Sequence, residues 1–332
     1  MSDSTLQGIS SRMLKALHDR SMEDWLSVEQ YVECALYTPG VGYYTNPERT
    51  RIGRTAETDF YTARSNSPLL CELVAEAARK KWGEAFCSEA TFHELGVEKQ
   101  EPAPSVTGFK DTVTSSYGEA DKIRGKAVLF SNELFDAQPF QKWCFTDGEW
   151  QEMGIALENL HSDQSCKPAC LPRKHQADPP DALSSLTMPE GYVVDWPSGA
   201  NRLIKTICQS PWTGWLVAVD YGKDLQDLLN HFPEGTARTY SRHRQNPNLF
   251  QAPGQQDITH HVCWTELEKI LAEHGFVDIS TTRLESFLLH ETGEACREII
   301  ESSTDEPNKR HLMELLHPAY FGAKFQVLSA WR

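Results

Sequence analysis

The chain has 332 residues, 39% of them hydrophobic, enough for one large domain or one domain with an elaborate insertion. It carries 32 Lys and Arg against 47 Asp and Glu, a formal net charge of −15. A surface that acidic repels phosphate backbones and anionic lipid, so neither nucleic acid nor a membrane is an expected partner.

No apolar run approaches the roughly 20 residues of a membrane helix. The N-terminal stretch MSDSTLQGISSRMLKALHDR lacks the hydrophobic centre of a secretory signal. The nine cysteines are odd in number and mostly sit inside apolar segments, as Cys34, Cys71, Cys144, Cys208 and Cys263 do. That usage suits reduced thiols and a cytoplasmic location better than a disulfide framework.

In chain order, a short helix is expected over residues 29–37, ending at the turn of Pro39, Gly40 and Gly42. Ser67 and Pro68 then open a helix whose Leu69, Leu70, Leu73, Val74, Ala77, Ala78 and Trp82 follow a 3.6-residue period. A short strand follows at 90–95. Residues 97–125 are poor in apolar side chains, and residues 126–131 form a continuously apolar strand. Residues 140–145 and 150–157 read as a hairpin about Asp147-Gly148. Residues 161–190 are loop-like. Helices are expected near 200–209 and 264–274, and strands at 214–220, 276–282 and 324–331. Apolar strands alternating with helices imply a parallel sheet covered on both faces, with a ligand beyond the carboxyl ends of its strands.

Three of those ends carry polar groups: Glu94-Leu95-Gly96, Asn132-Glu133 and Asp220-Tyr221-Gly222. The first lacks the further glycines of a nucleotide loop and reads equally as a plain turn. The second, Asn-Glu-x-x-Asp-Ala-x-Pro, is more specific. Glu133 and Asp136 beside Asn132 suit a guanidinium or an amine, unless they simply start a helix and face water. A long loop at 235–262 gathers Arg238, Tyr240, Arg242, His243, Asp257, Thr259 and His261, and is expected as a hydrogen-bonded lid. Neither that loop nor His161, Cys166, Cys170 and His175 matches a familiar metal-ligand spacing, so no metal is expected. No G-x-S-x-G elbow supports a serine hydrolase.

Taken together these segments resemble the MidA-like family of class I methyltransferases. The resemblance runs in order from about Ser27 to Arg332. It rests on Gly42-Tyr43-Tyr44, Asp59-Phe60-Tyr61-Thr62, Glu94-Leu95-Gly96, Asn132-Glu133-Leu134-Phe135-Asp136-Ala137 and Asp220-Tyr221-Gly222. It continues through Gly235-Thr236, His243, Pro253-Gly254 and Asp257-Ile258-Thr259-His260-His261-Val262. The resemblance implies a protein substrate methylated on arginine by S-adenosyl-L-methionine; mitochondrial members of the family act so in complex I assembly. It implies cofactor contacts from Asp59, Phe60, Thr62, Glu94, Gly96 and Asn132. Glu133, Asp136 and Asn132 are the implied catalytic groups, with Asp220, Tyr221, His243, Asp257, Thr259 and His261 as substrate or lid residues.

The departures are specific. Only Gly96 remains of the family's Gly-Pro-Gly-Arg-Gly loop, Thr58 stands where a glycine usually precedes Asp59, and Arg64-Ser65 replaces Pro-Glu. The short span from Glu94 to Asn132 has room for at most one crossover. The expected fold is therefore α/β, a Rossmann-like class I methyltransferase sheet truncated in its cofactor-binding half, with an inserted subdomain. Residues 67–160 and 196–332 are expected to form the core. Residues 1–66 would cover the cleft, and 161–195 would be a flexible loop insertion. A non-catalytic relative that binds a protein partner stands as the second reading.

Overall fold

The continuously apolar run at 126–131 is the centre of a six-stranded sheet. In the computed structural model, which describes residues 9–47, 63, 67–97, 104–161, 167–241, 244–246, 248–302 and 304–332, it forms the strand Gly125–Asn132. In chain order the sheet contains a first strand, Thr91–Leu95, a second, Asp111–Ser115, and this third one. A fourth, Trp212–Asp220, a fifth, Val277–Arg283, and a sixth, Gln326–Trp331, complete it. Their spatial order is fifth, sixth, fourth, third, first, second. The second, first, third and fourth strands are mutually parallel, and the sixth is antiparallel to both the fourth and the fifth.

The first strand thus has the second on one side and the third on the other. Chain order reverses across it, which makes the crevice beyond its carboxyl end a topological switch point. Strand register aligns Leu95 with Ser131 and Asn132 with Val219, so the three strand ends lie side by side.

This sheet belongs to a unit made of Tyr61–Asp136, Asn201–Lys223 and Val262–Arg332. Its core joins the helix Leu69–Trp82 to Phe92, Val128, Phe130, Trp215, Val217 and Val219, the inward positions of alternating strand residues. Ser67 Oγ accepts the Leu69 N–H at 3.1 Å, which supplies the expected helix start. The second strand has no apolar run to announce it. Its Thr112-Val113-Thr114 is β-branched and only half-buried at the sheet edge. Among the described residues of the connection before it, 104–110 contain no helix.

The other unit comprises Met1–Phe60, Ala137–Ala200 and Asp224–His261. The hairpin Gln141–Thr146 and Glu149–Ala156 lies here, not in the parallel sheet with which the expected 67–160 boundary grouped it. Its turn has Asp147 and Gly148 at φ 53° and 80°, the left-handed pair such a two-residue turn needs. The hairpin pairs with Trp25–Ser27 on one edge and Tyr192–Trp196 on the other.

The expected loop insertion at 161–195 is also corrected. Its described part contains the pairing strand Ala169–Cys170, the turn of helix Asp181–Ser184 and most of the strand Tyr192–Trp196. Leu183 is fully buried with Trp143, Trp150 and Trp196, which anchors a segment whose polar composition concealed it. On another cluster of this unit, Met13, Leu17, Tyr31, Val32, Phe140, Phe250 and Ile258 are packed together. The helix Val28–Tyr37 starts in a capping box, with Ser27 Oγ accepting from Gln30 and Gln30 Oε1 from Ser27. No helix among the described residues is long and apolar enough to cross a membrane, and none of the described cysteines forms a disulfide.

Candidate active site

The sequence puts Asn132 at the last position of the third strand, two residues beyond Phe130 and so on the same face of the sheet. Glu94 occupies that face too, two residues beyond Phe92, and is buried with the Cys71 thiol 3.7 Å from its Oε1. Past Asn132 the backbone turns sharply. Glu133 has φ 51°, a conformation a non-glycine residue holds only when its surroundings over-determine it.

Several contacts hold it. The Glu133 N–H extends the ladder to Val219 O at 2.9 Å. Its Oε1 accepts from Asn132 Nδ2 at 3.1 Å and from the Ala63 N–H at 3.2 Å. The first of these bonds fixes the Asn132 amide, so its Oδ1 points the other way. That oxygen is buried and has no hydrogen-bond partner among the described residues. A buried acceptor left unmet is a cost that a bound donor removes.

Asp136 is 3% exposed and Asp220 fully buried. Asp220 Oδ2 accepts the N–H groups of Phe135 and Asp136 at 2.9 and 3.2 Å, and its Oδ1 accepts that of Tyr221 at 2.8 Å. Burial pushes the Asp220 carboxyl well above the usual carboxylate range. The Tyr221 N–H pulls against that shift, the Glu133 charge adds to it, and the other two N–H donors oppose it. Glu133, Asp136 and Asp220 thus gather three carboxyl groups at adjacent strand ends, with both oxygens of Asp220 turned onto backbone amides.

Gly96 closes the first strand at φ 81°. A Cβ there would stand 2.7 Å from Leu134 Cδ1. The Gly96 and Val97 N–H groups both donate to Ser115 O, at 2.8 and 3.1 Å. The second strand ends in Thr114-Ser115 rather than in a carboxylate, and the later Glu119 pairs with the Ser116 N–H and Lys122.

The remaining predicted residues fall partly in this unit, partly in the other and partly outside the described residues. Tyr221 follows Asp220 and stacks edge-on with Phe325. Asp257, Thr259 and His261 lie in the other unit, inside hydrogen-bonded structure rather than in an open loop. The strand Asp257–Thr259 pairs with Arg238–Ser241, Tyr44 OH donates to Asp257 Oδ1, and Arg238 Nη2 donates to His261 Nε2 at 3.0 Å. Asp59, Phe60, Thr62 and His243 lie outside the described residues. The sequence reading missed the roles of Leu134 and Ala63, neither of which carries a chemical signal. It also missed the buried Lys142–Asp195 ion pair at 2.5 Å, whose two charged residues sit in strands that look apolar.

The sheet is of mixed α/β type, with an amide and three carboxyl groups gathered at the strand ends beside its switch point. Residues 88–281 match the family described as "Putative S-adenosyl-L-methionine-dependent methyltransferase", and the chain belongs to that family. S-adenosyl-L-methionine is accordingly its cofactor. The residues present fit the cofactor's cationic methionine end, through Asn132 Oδ1 and the carboxyl groups of Glu133 and Asp136.

Among curated proteins the chain is 23% identical over 273 residues to the mitochondrial protein arginine methyltransferase NDUFAF7 of Danio rerio. That match covers 79% of this chain but only 59% of the relative's length. Among solved structures it is similar to a Burkholderia thailandensis protein crystallised with S-adenosyl-homocysteine. The TM-score is 0.77 and the identity 22%, over all of this chain and 94% of that one. A native structure of an uncharacterised Burkholderia thailandensis protein follows at TM-score 0.71 and 21% identity, with the same coverage. At those identities the likeness concerns the fold.

Proposed function

We propose that the chain is an active S-adenosyl-L-methionine-dependent protein methyltransferase with arginine as the acceptor. The carrying observation is the cluster of Asn132, Glu133, Asp136 and Asp220 at adjoining strand ends. The cofactor, when bound, supplies a methyl group on a sulfonium cation. Asn132 Oδ1 accepts an N–H from the ligand side of the site. Asp136 and Glu133 offset positive charge and hold a guanidinium nitrogen in line. Methyl transfer is governed mostly by such alignment and charge complementarity. The name of the Danio rerio relative supports arginine as the acceptor class.

In this reading the sheet is a truncated Rossmann-like core and the antiparallel unit an inserted subdomain. Asp59, Phe60 and Thr62 are proposed to complete the cofactor contacts begun by Glu94 and Gly96. Asp257, Thr259 and His261 are proposed as substrate-side elements. The cytoplasm is the proposed compartment, on the strength of an odd, scattered set of cysteines that suits reduced thiols; the Danio rerio relative is a mitochondrial protein by name.

One observation favours the rival, a non-catalytic relative serving a protein partner. Gly96 and Val97 spend their N–H groups on Ser115 O, and Leu134 covers the Gly96 Cα. Calorimetric titration of the full chain with S-adenosyl-L-methionine and S-adenosyl-homocysteine separates the two. The enzyme reading expects dissociation constants below about 1 mM, a free energy beyond about −4 kcal/mol. Absence of binding at that level refutes it and leaves the rival.

A further inference from the structure

We infer that Asp220 is a positioning residue of this site: its carboxylate fixes the place of the loop that carries Glu133 and Asp136, without meeting the ligand. The inference rests on the methyltransferase reading for the use of that loop, and on coordinates alone for the bracing.

Asp220 sits at the last position of the fourth strand and has no exposed surface. All three of its described bonds go to backbone N–H groups: Phe135 and Asp136 in the neighbouring loop, and Tyr221 in its own chain direction. One oxygen thus collects two successive amides of the loop. Burying a carboxyl group is costly, and three backbone donors on its two oxygens offset the cost. A loop that needed only a cap would be served by a neutral serine or asparagine.

Burial first, and the Glu133 charge after it, hold the Asp220 carboxyl above the usual carboxylate range, against the pull of the three backbone donors. Glu133 also holds a left-handed backbone that needs outside support. Bonds two and three residues further on, at Phe135 and Asp136, are part of that support. Asp220 therefore governs where the loop carboxylates stand.

The test uses the full chain and the variant Asp220→Asn. Asparagine keeps the shape but must turn its NH2 group toward backbone donors on one side. Amide hydrogen exchange at Phe135 and Asp136 is expected to quicken by about tenfold or more. Labelled methyl transfer by the variant is expected to fall about tenfold in kcat at an unchanged KM for S-adenosyl-L-methionine. Unchanged exchange at both amides overturns the bracing. Faster exchange with an unchanged kcat makes Asp220 a cap alone and overturns the positioning role. A native chain that binds no S-adenosyl-L-methionine refutes the methyltransferase reading; the bracing is then decided by the exchange rates alone.

Discussion

The hydroxyl of Tyr44 donates to Oδ1 of Asp257 at 2.8 Å, joining two segments 213 residues apart in the chain. Tyr44 also lies beside Tyr37, ring centroids 5.6 Å apart, and Gly42 makes the approach possible. A Cβ on Gly42 would stand 2.6 Å from Thr38 N and 2.7 Å from Leu36 O. The Gly-Tyr-Tyr and Asp-Ile-Thr segments are therefore one structural device within their unit. Asp257 is 3% exposed, so removing its donor leaves a buried carboxylate short of a partner. Tyr44→Phe is expected to cost about 1–3 kcal/mol. Urea unfolding monitored by tryptophan fluorescence measures it, and an unchanged midpoint would show the bond to be idle.

Gly96→Ala is expected to destabilise the sheet end. Its φ of 81° is foreign to alanine, and the new methyl meets Leu134 Cδ1 at 2.7 Å. Together strain and overpacking cost about 2–4 kcal/mol. Adding Leu134→Ala should recover the contact part but not the conformational part. A double variant no better than the single one would mean the clash is absorbed elsewhere.

Asp136→Asn should keep the Asp136 N–H bond to Asp220, because that bond is made by the backbone. The fold is expected to survive while labelled methyl transfer to arginine falls by about 100-fold or more. Equal transfer by native and variant chains would remove Asp136 from the chemistry.

Acid should weaken the other unit through His260. The ring is 1% exposed and its Nδ1 lies 3.0 Å from His261 O. Burial pushes its pKa below the usual 6.5, against the pull of the Asp195 charge. A group with a depressed histidine pKa binds fewer protons folded than unfolded. Its contribution is present above the unfolded value of 6.5 and lost as pH falls below it, by up to about 1.4 kcal/mol per pH unit. His260→Gln should flatten that acid limb of stability against pH. An identical slope in native and variant chains would assign the limb to other groups.

Asp195→Asn should be more damaging than its conservative look implies. It leaves Lys142, 8% exposed, with its charge uncompensated, and it weakens the acceptor for the Thr236 and Ala237 N–H groups. A loss of about 3–5 kcal/mol is expected. Replacing Lys142 by Met as well should return part of it. A double variant as unstable as the single one would place the damage in the Gly235–Ala237 turn instead.

Much of the parallel sheet was legible because its strands announce themselves. Ala127–Phe130 and Leu216–Val219 are apolar without interruption, and the Leu69–Trp82 stripe has one helical period. The second strand was not, since Asp111-Thr-Val-Thr-Ser sits half-buried at an edge and has no apolar run to display. The hairpin's two strands and turn were also legible, but its partner was not. Pairing of Gln141–Thr146 with Tyr192–Trp196 spans a long polar stretch, and local pattern carries no record of such a partner.

The candidate site divides along the same line. Asn132, Glu133 and Asp136 stand out by residue type alone, since a buried strand ending in an amide and carboxylates is unusual chemistry. The chain therefore determined by itself that a buried strand ends in an amide and carboxylates, and which family the chain belongs to. Only the tertiary structure decided that Asp220 turns inward onto backbone amides, that Glu133 is engaged by Asn132 and Ala63, and that Leu134 lies over Gly96. The physical reason is that a side chain's type is written locally, whereas its partner is set by whichever distant backbone the fold brings within about 3 Å of it.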